Sequence, residues 1–137
     1  MTTIVTPKPP LNLFEVVRSV VPDVWDILYE APRYRVPPNG PNPERFVDTA
    51  AIMTGLVLAK SGAGITEVSV RVVQPGGAAF LIVDKAQVFP NDFLLLKLDR
   101  QVLKTGETLQ LRCEAGQTCD AHLTFILNTR EEFEVIA

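Results

Sequence analysis

Short apolar segments, cut by glycine or proline turns at intervals of about 8–12 residues, run through most of this 137-residue chain. Residues 66–73 alternate strictly, with Val68, Val70 and Val72 on one face. Residues 109–113 alternate as well, and in 120–127 His122 and Thr124 fall opposite Leu123 and Phe125. Residues 46–59 turn apolar on both faces in their second half, the pattern of a central strand. Segments 24–30, 79–83 with a short continuation at 86–88, 93–98 and 101–103 complete the set. Turns are read at 60–64, 74–77, 90–92 and 104–107, with a hairpin loop at 114–118. No segment is long enough, or has the period, to suggest a dominant helix. The pattern predicts an all-β chain: a single antiparallel β-sandwich of about seven or eight strands with an N-terminal extension.

Nine of the eleven prolines lie within the first 43 residues, so the organisation is uneven. An N-terminal arm with a short helix or extended segment is expected over 1–22, the sandwich over 23–129 and a charged tail over 130–137. Pro7-Lys8-Pro9-Pro10 favours extended polyproline geometry without ladder bonds. Over 12–21, Asn12 and Glu15 could form a capping box, whereas Val16, Val17, Val20 and Val21 favour a strand. The reading leans to a helical turn or two. Residues 33–45, with four prolines, read as a long lid or contact loop. The candidate partner-contact residues are Ile4, Val5, Leu11, Leu13 and Phe14 in the N-terminal segment, Tyr34 in that loop, and Phe133, Val135 and Ile136 in the tail.

Composition removes several function classes. Thirteen basic against sixteen acidic residues give a net charge of −3, so no general basic surface for nucleic acid is expected. There is no apolar run long enough to span a membrane, and the first residues lack the order of a signal peptide. Hydrophobic residues are 47% of the chain, enough to bury a core. His122 is the sole histidine and has no recognisable nucleophile or orienting partner nearby in sequence, so it reads as exposed or structural. Turn aspartates (Asp92, Asp99, Asp120) and the tail glutamates (Glu131, Glu132, Glu134) read as solvated. Gly62-Ala63-Gly64 lacks the lysine of a phosphate loop. Cys113 and Cys119 flank the five-residue 114–118 loop. In a hairpin they would face each other, so free thiols and a disulfide both stay open, while zinc lacks a second ligand pair. Trp25, Tyr29 and Tyr34 could form a carbohydrate-binding face, although core packing of Trp25 is the simpler reading. The expectation is no enzyme activity, no cofactor and no metal site.

Three stretches resemble a family of small β-sandwich virion proteins of tailed bacteriophages. They are Trp25-Asp26-Ile27-Leu28-Tyr29-Glu30-Ala31-Pro32; the pair 51–59 and 68–72 around a Ser/Gly turn; and Leu103-Lys104-Thr105-Gly106-Glu107-Thr108-Leu109-Gln110-Leu111. The closing Leu127-Asn128-Thr129-Arg130-Glu131-Glu132-Phe133 is similar to the end of phage structural proteins. The likeness covers about residues 23–135 and departs from the pattern at 33–45 and 1–21. It implies a non-enzymatic structural subunit, made in the host cytoplasm and built into the virion as a homo-oligomer. Its partners would be other virion proteins of the neck, tail or capsid, with no nucleic acid and no membrane. A head–tail neck or tail position is the first expectation. A capsid decoration protein and a carbohydrate-binding module of a fibre are the alternatives.

Overall fold

The computed structural model describes residues 3–5, 12–60, 63–98, 101–129 and 134–136, with side chains over 14–60, 63–98 and 101–128. Leu11 and Phe133 lie outside the described residues, and the side chains of Ile4, Val5, Leu13, Val135 and Ile136 lie outside them too. The described strands are β1 (Thr3–Val5), β2 (Asn12–Val21), β3 (Asp26–Glu30), β4 (Arg33–Val36), β5 (Arg45–Lys60), β6 (Thr66–Val73), β7 (Ala79–Val88), β8 (Asp92–Leu96), β9 (Val102–Lys104), β10 (Thr108–Cys113), β11 (Cys119–Thr129) and β12 (Glu134–Ile136). No helix occurs among the described residues.

Two antiparallel sheets pack into the expected β-sandwich. One has the order β3-β10-β6-β7. The other runs β2-β11-β5, and the far edge of the sixteen-residue β5 is lined in succession by β4, β9 and β8. A separate ribbon pairs β1 with β12, Thr3 opposite Ile136. The strand count exceeds the expected seven or eight because short edge strands such as β4 and β9 have too few residues to show a period.

The core lies between the sheets and follows from the period of two. Met53, Leu56, Leu58, Leu123 and Phe125 point inward from one sheet, and Val68, Val70, Leu109 and Leu111 from the other, all at most 1% exposed. Tyr29 bridges the layers, its ring centroid 4.3 Å from that of Phe125 and tilted by 42°. At one end, the Thr49 hydroxyl donates to Pro32 O at 2.6 Å, and Thr49 N donates to Thr105 Oγ1 at 2.7 Å. Gly106 beside this network has φ +83°, and a Cβ there would stand 2.9 Å from Pro75 Cγ, so both backbone and space require glycine.

Burial of the Tyr29 phenol, reinforced by Tyr34 and Glu15, pushes its pKa from the usual 10.0 up to about 12. The fold therefore favours the neutral phenol. The stability linked to it is whole below pH 10.0 and is lost as pH rises towards about 12. Absorbance titration of Tyr34→Phe, which leaves Tyr29 as the only tyrosine and removes the smaller Tyr34 contribution, should still show ionisation delayed well above pH 10.0 by burial. Ionisation at the ordinary value would contradict this packing.

Three local expectations are corrected. Residues 12–21 form strand β2, not a helical turn. Four β-branched valines disfavour the helix, and the ten-residue ladder to β11 outweighs what the Asn12 and Glu15 cap could supply. Residues 33–45 are largely a hairpin: β4 pairs with the start of β5, and Arg35 binds Glu44 at 2.6 Å. Its tip is closed by reciprocal 3.0 Å backbone bonds between Asn39 and Asn42. Finally, 114–118 is not a hairpin loop. It carries the chain from β10 in the four-stranded sheet to β11 in the six-stranded one.

Candidate functional site on the outer face of the six-stranded sheet

The side chains of the six-stranded sheet that point away from the core form rows across four strands. One row runs Val20, Asp120, Ala59, Phe93, and the next Arg18, His122, Val57, Leu95. A third runs Phe14, Ile126, Ile52, Val102. Between them Val16 stands opposite Thr124, whose hydroxyl lies 2.8 Å from that of Thr54. Phe14 and Phe93 are 68% and 67% exposed, and Val16, Val20, Ile52, Leu95 and Val102 are also exposed. A sheet face left in water would alternate polar residues into these positions. Here aromatic and aliphatic side chains fill most of them, interrupted by Arg18, Asp120, His122 and the Thr54–Thr124 pair, and exposed apolar clusters of this kind make the face a candidate interaction surface.

Over the first two rows lies an open depression of about 480 Å³, lined by Arg18, Val20, Val57, Ala59, Asp120 and His122 among others. Arg18 Nε donates to His122 Nδ1 at 3.1 Å, which places the proton of the neutral imidazole on Nε2. Histidine here accepts a bond from a cation that holds its ring in place. No group of three or more His, Cys, Asp or Glu residues suited to a metal occurs among the described residues.

The opposite outer face, on the four-stranded sheet, is built differently. Its central row runs Ile27, Gln110, Arg71, Leu81. Arg71 donates twice to Gln110 Oε1, at 2.9 and 2.7 Å. The guanidinium carbons of Arg71 and Arg112 sit 4.2 and 4.8 Å from the ring centroid of Trp25. The expected core packing of Trp25 is thus replaced by a surface stack of arginines, because Trp25 precedes β3 and falls outside the inward period. Tyr29 and Tyr34 pack against the core cluster, so they do not stand with Trp25 as an open aromatic platform.

Among the predicted contact residues with described side chains, Phe14 falls on the apolar face and Tyr34 packs against the core. The exposed Val16, Val20, Ile52, Phe93, Leu95 and Val102 were missed. Their signal was present as apolar residues of both parities in 13–21 and 52–59. Cys113 and Cys119 are buried free thiols, with their sulfurs 3.4 Å apart.

No protein-family model matches the chain, and no curated protein matches it. Among solved structures it is similar to the structure of infectious bursal disease virus Gt strain, with 11% identity and a TM-score of 0.42. That match covers 99% of this chain and 33% of the other, so the chain spans about a third of its length.

Proposed function

We propose that this chain is a non-enzymatic structural component of a virion that packs against further copies and neighbouring subunits through the outer face of its six-stranded sheet. The apolar row from Phe14 to Val102, with the exposed Val16, Val20, Phe93 and Leu95 on the same face, is the observation that carries this reading. Exposed apolar area of this extent stabilises association when two such surfaces exclude water from each other. The ordered resemblance of 23–135 to tailed-phage sandwich proteins supports the virion context, with a neck or tail ring as the preferred position and shell decoration as the alternative. The termini take part as well. β1 and β12 pair with each other apart from both sheets, so the two ends form one ribbon available to a neighbouring subunit.

Removing residues 1–11 or 130–137 should leave a cooperative thermal transition close to that of the full chain but prevent incorporation into particles. Melting curves and co-sedimentation with purified virions measure the two effects. Unaltered incorporation of both truncations would count against the ribbon. Stained-gel stoichiometry of intact particles separates a ring, with few copies, from a shell-like complement.

A further inference from the structure

We infer that Cys113 and Cys119 form an oxidative modification site, in which hydrogen peroxide converts the two buried thiols into a disulfide joining the two sheets of the sandwich. The site differs from a hairpin staple. Cys113 ends β10 of one sheet and Cys119 begins β11 of the other, so the bond would cross the core layer. Both side chains point inward, 2% and 3% exposed, and Val68 and Val21 stand opposite them in their respective ladders. The sulfurs already lie 3.4 Å apart, so only a small side-chain movement is needed to reach bonding distance.

The surroundings divide the labour between the sulfurs. The hydrogen bond it shares with Cys119 draws the Cys113 thiol below its usual pKa; Thr66 and the Lys60 charge assist, while burial opposes them. Cys119 is pushed upward, first by that shared hydrogen bond and then by burial, and so retains its proton. Lys60 is itself largely buried, at 8% exposure.

The reaction balances with peroxide as sole oxidant. The Cys113 thiolate attacks one peroxide oxygen; an S–O bond forms, the O–O bond breaks, and the departing hydroxide takes a proton to become water. Cys119 sulfur then attacks the sulfenic sulfur, forming S–S and breaking S–O. The leaving hydroxide accepts the Cys119 proton as a second water. Two thiols lose two electrons in all, and one peroxide becomes two waters. Peroxide suits the site because its small size lets it reach sulfurs that larger disulfides would approach poorly.

The test uses the full chain, reduced and then treated with peroxide, denatured in an alkylating agent and digested with trypsin. Cleavage after Arg112 and Arg130 leaves both cysteines in one peptide, residues 113–130. After oxidation this peptide should carry no alkyl group and be lighter by two hydrogen atoms than the unmodified dithiol peptide. The untreated protein should give two alkyl groups. The bridge should raise Tm by roughly 5–10 °C, since it restrains the unfolded chain across a short loop. Cys113→Ala and Cys119→Ala should each show no such rise under the same treatment. Two alkylated cysteines after oxidation, sulfinic or sulfonic products, or dimers linked between chains would overturn the inference. So would an equal rise in Tm in the alanine variants. None of these results bears on the apolar face, so failure here is distinguishable from failure of the structural-subunit reading.

Discussion

Phe125→Ala should lower the unfolding free energy by about 3–5 kcal/mol and Tm by roughly 10–20 °C. The side chain is 1% exposed at the middle of β11, the strand with ladders on both sides. Its ring meets Tyr29 from the opposite sheet at 4.3 Å between centroids. Truncation therefore removes transfer free energy, a ring contact and an inter-sheet tie together. The surrounding leucines and valines are held by two sheets and can close the cavity only in part. Leu81→Ala is the exposed control: the side chain is 54% exposed in β7 on the opposite outer face, and its loss should stay within about 0.5 kcal/mol. Urea titration with an unchanged m-value measures both. A loss below about 1 kcal/mol at Phe125 would mean that the sheets do not meet where the structure places them.

The second large effect concerns association. Phe93→Glu combined with Leu95→Glu should leave the monomer folded, since both side chains are solvent-exposed and their inward neighbours are unchanged. In a packed interface the same carboxylates would lose water without a partner. Each costs about 2 kcal/mol or more in that setting, so self-association should weaken by about 100-fold or more. The opposite face supplies the control. Leu81→Glu adds a carboxylate beside Arg71, outside the proposed contact, and should leave association unchanged. Far-ultraviolet circular dichroism checks the fold of all three proteins, and light scattering after gel filtration reads their mass.

Much of the sandwich was legible because inward positions repeat every second residue. Val68, Val70 and Val72, Leu109 and Leu111, and Leu123 and Phe125 announce their strands and the buried face at once. Elements that lack room for a period did not. Residues 33–36 carry two arginines and only two apolar residues, and their pairing to β5 depends on Arg45–Asp48, which local sequence does not specify. For 12–21 a local signal, the Asn12 and Glu15 cap, competed with a long-range one, the ladder to β11, and tertiary pairing prevailed. The 114–118 turn shows a different limit. Alternation fixes that both cysteines face inward, yet it is silent on whether the flanking strands share a sheet.

The candidate face was half visible. Apolar residues of both parities in 52–59 correctly predicted a central strand, but such a pattern says only that both sides avoid water. It does not say that one side is covered within the chain and the other by a neighbour. The rows from Val20 to Phe93 and from Arg18 to Leu95 assemble residues from strands widely separated in sequence, and only the register brings them together.

Sedimentation velocity over a concentration series, with the native chain beside Phe93→Glu/Leu95→Glu, tests the assembly reading most directly. The native chain should shift with concentration from monomer to a discrete closed oligomer, while the double variant sediments as a monomer throughout. A native chain that stays monomeric at every concentration, or a variant that assembles equally well, would contradict assembly through this face.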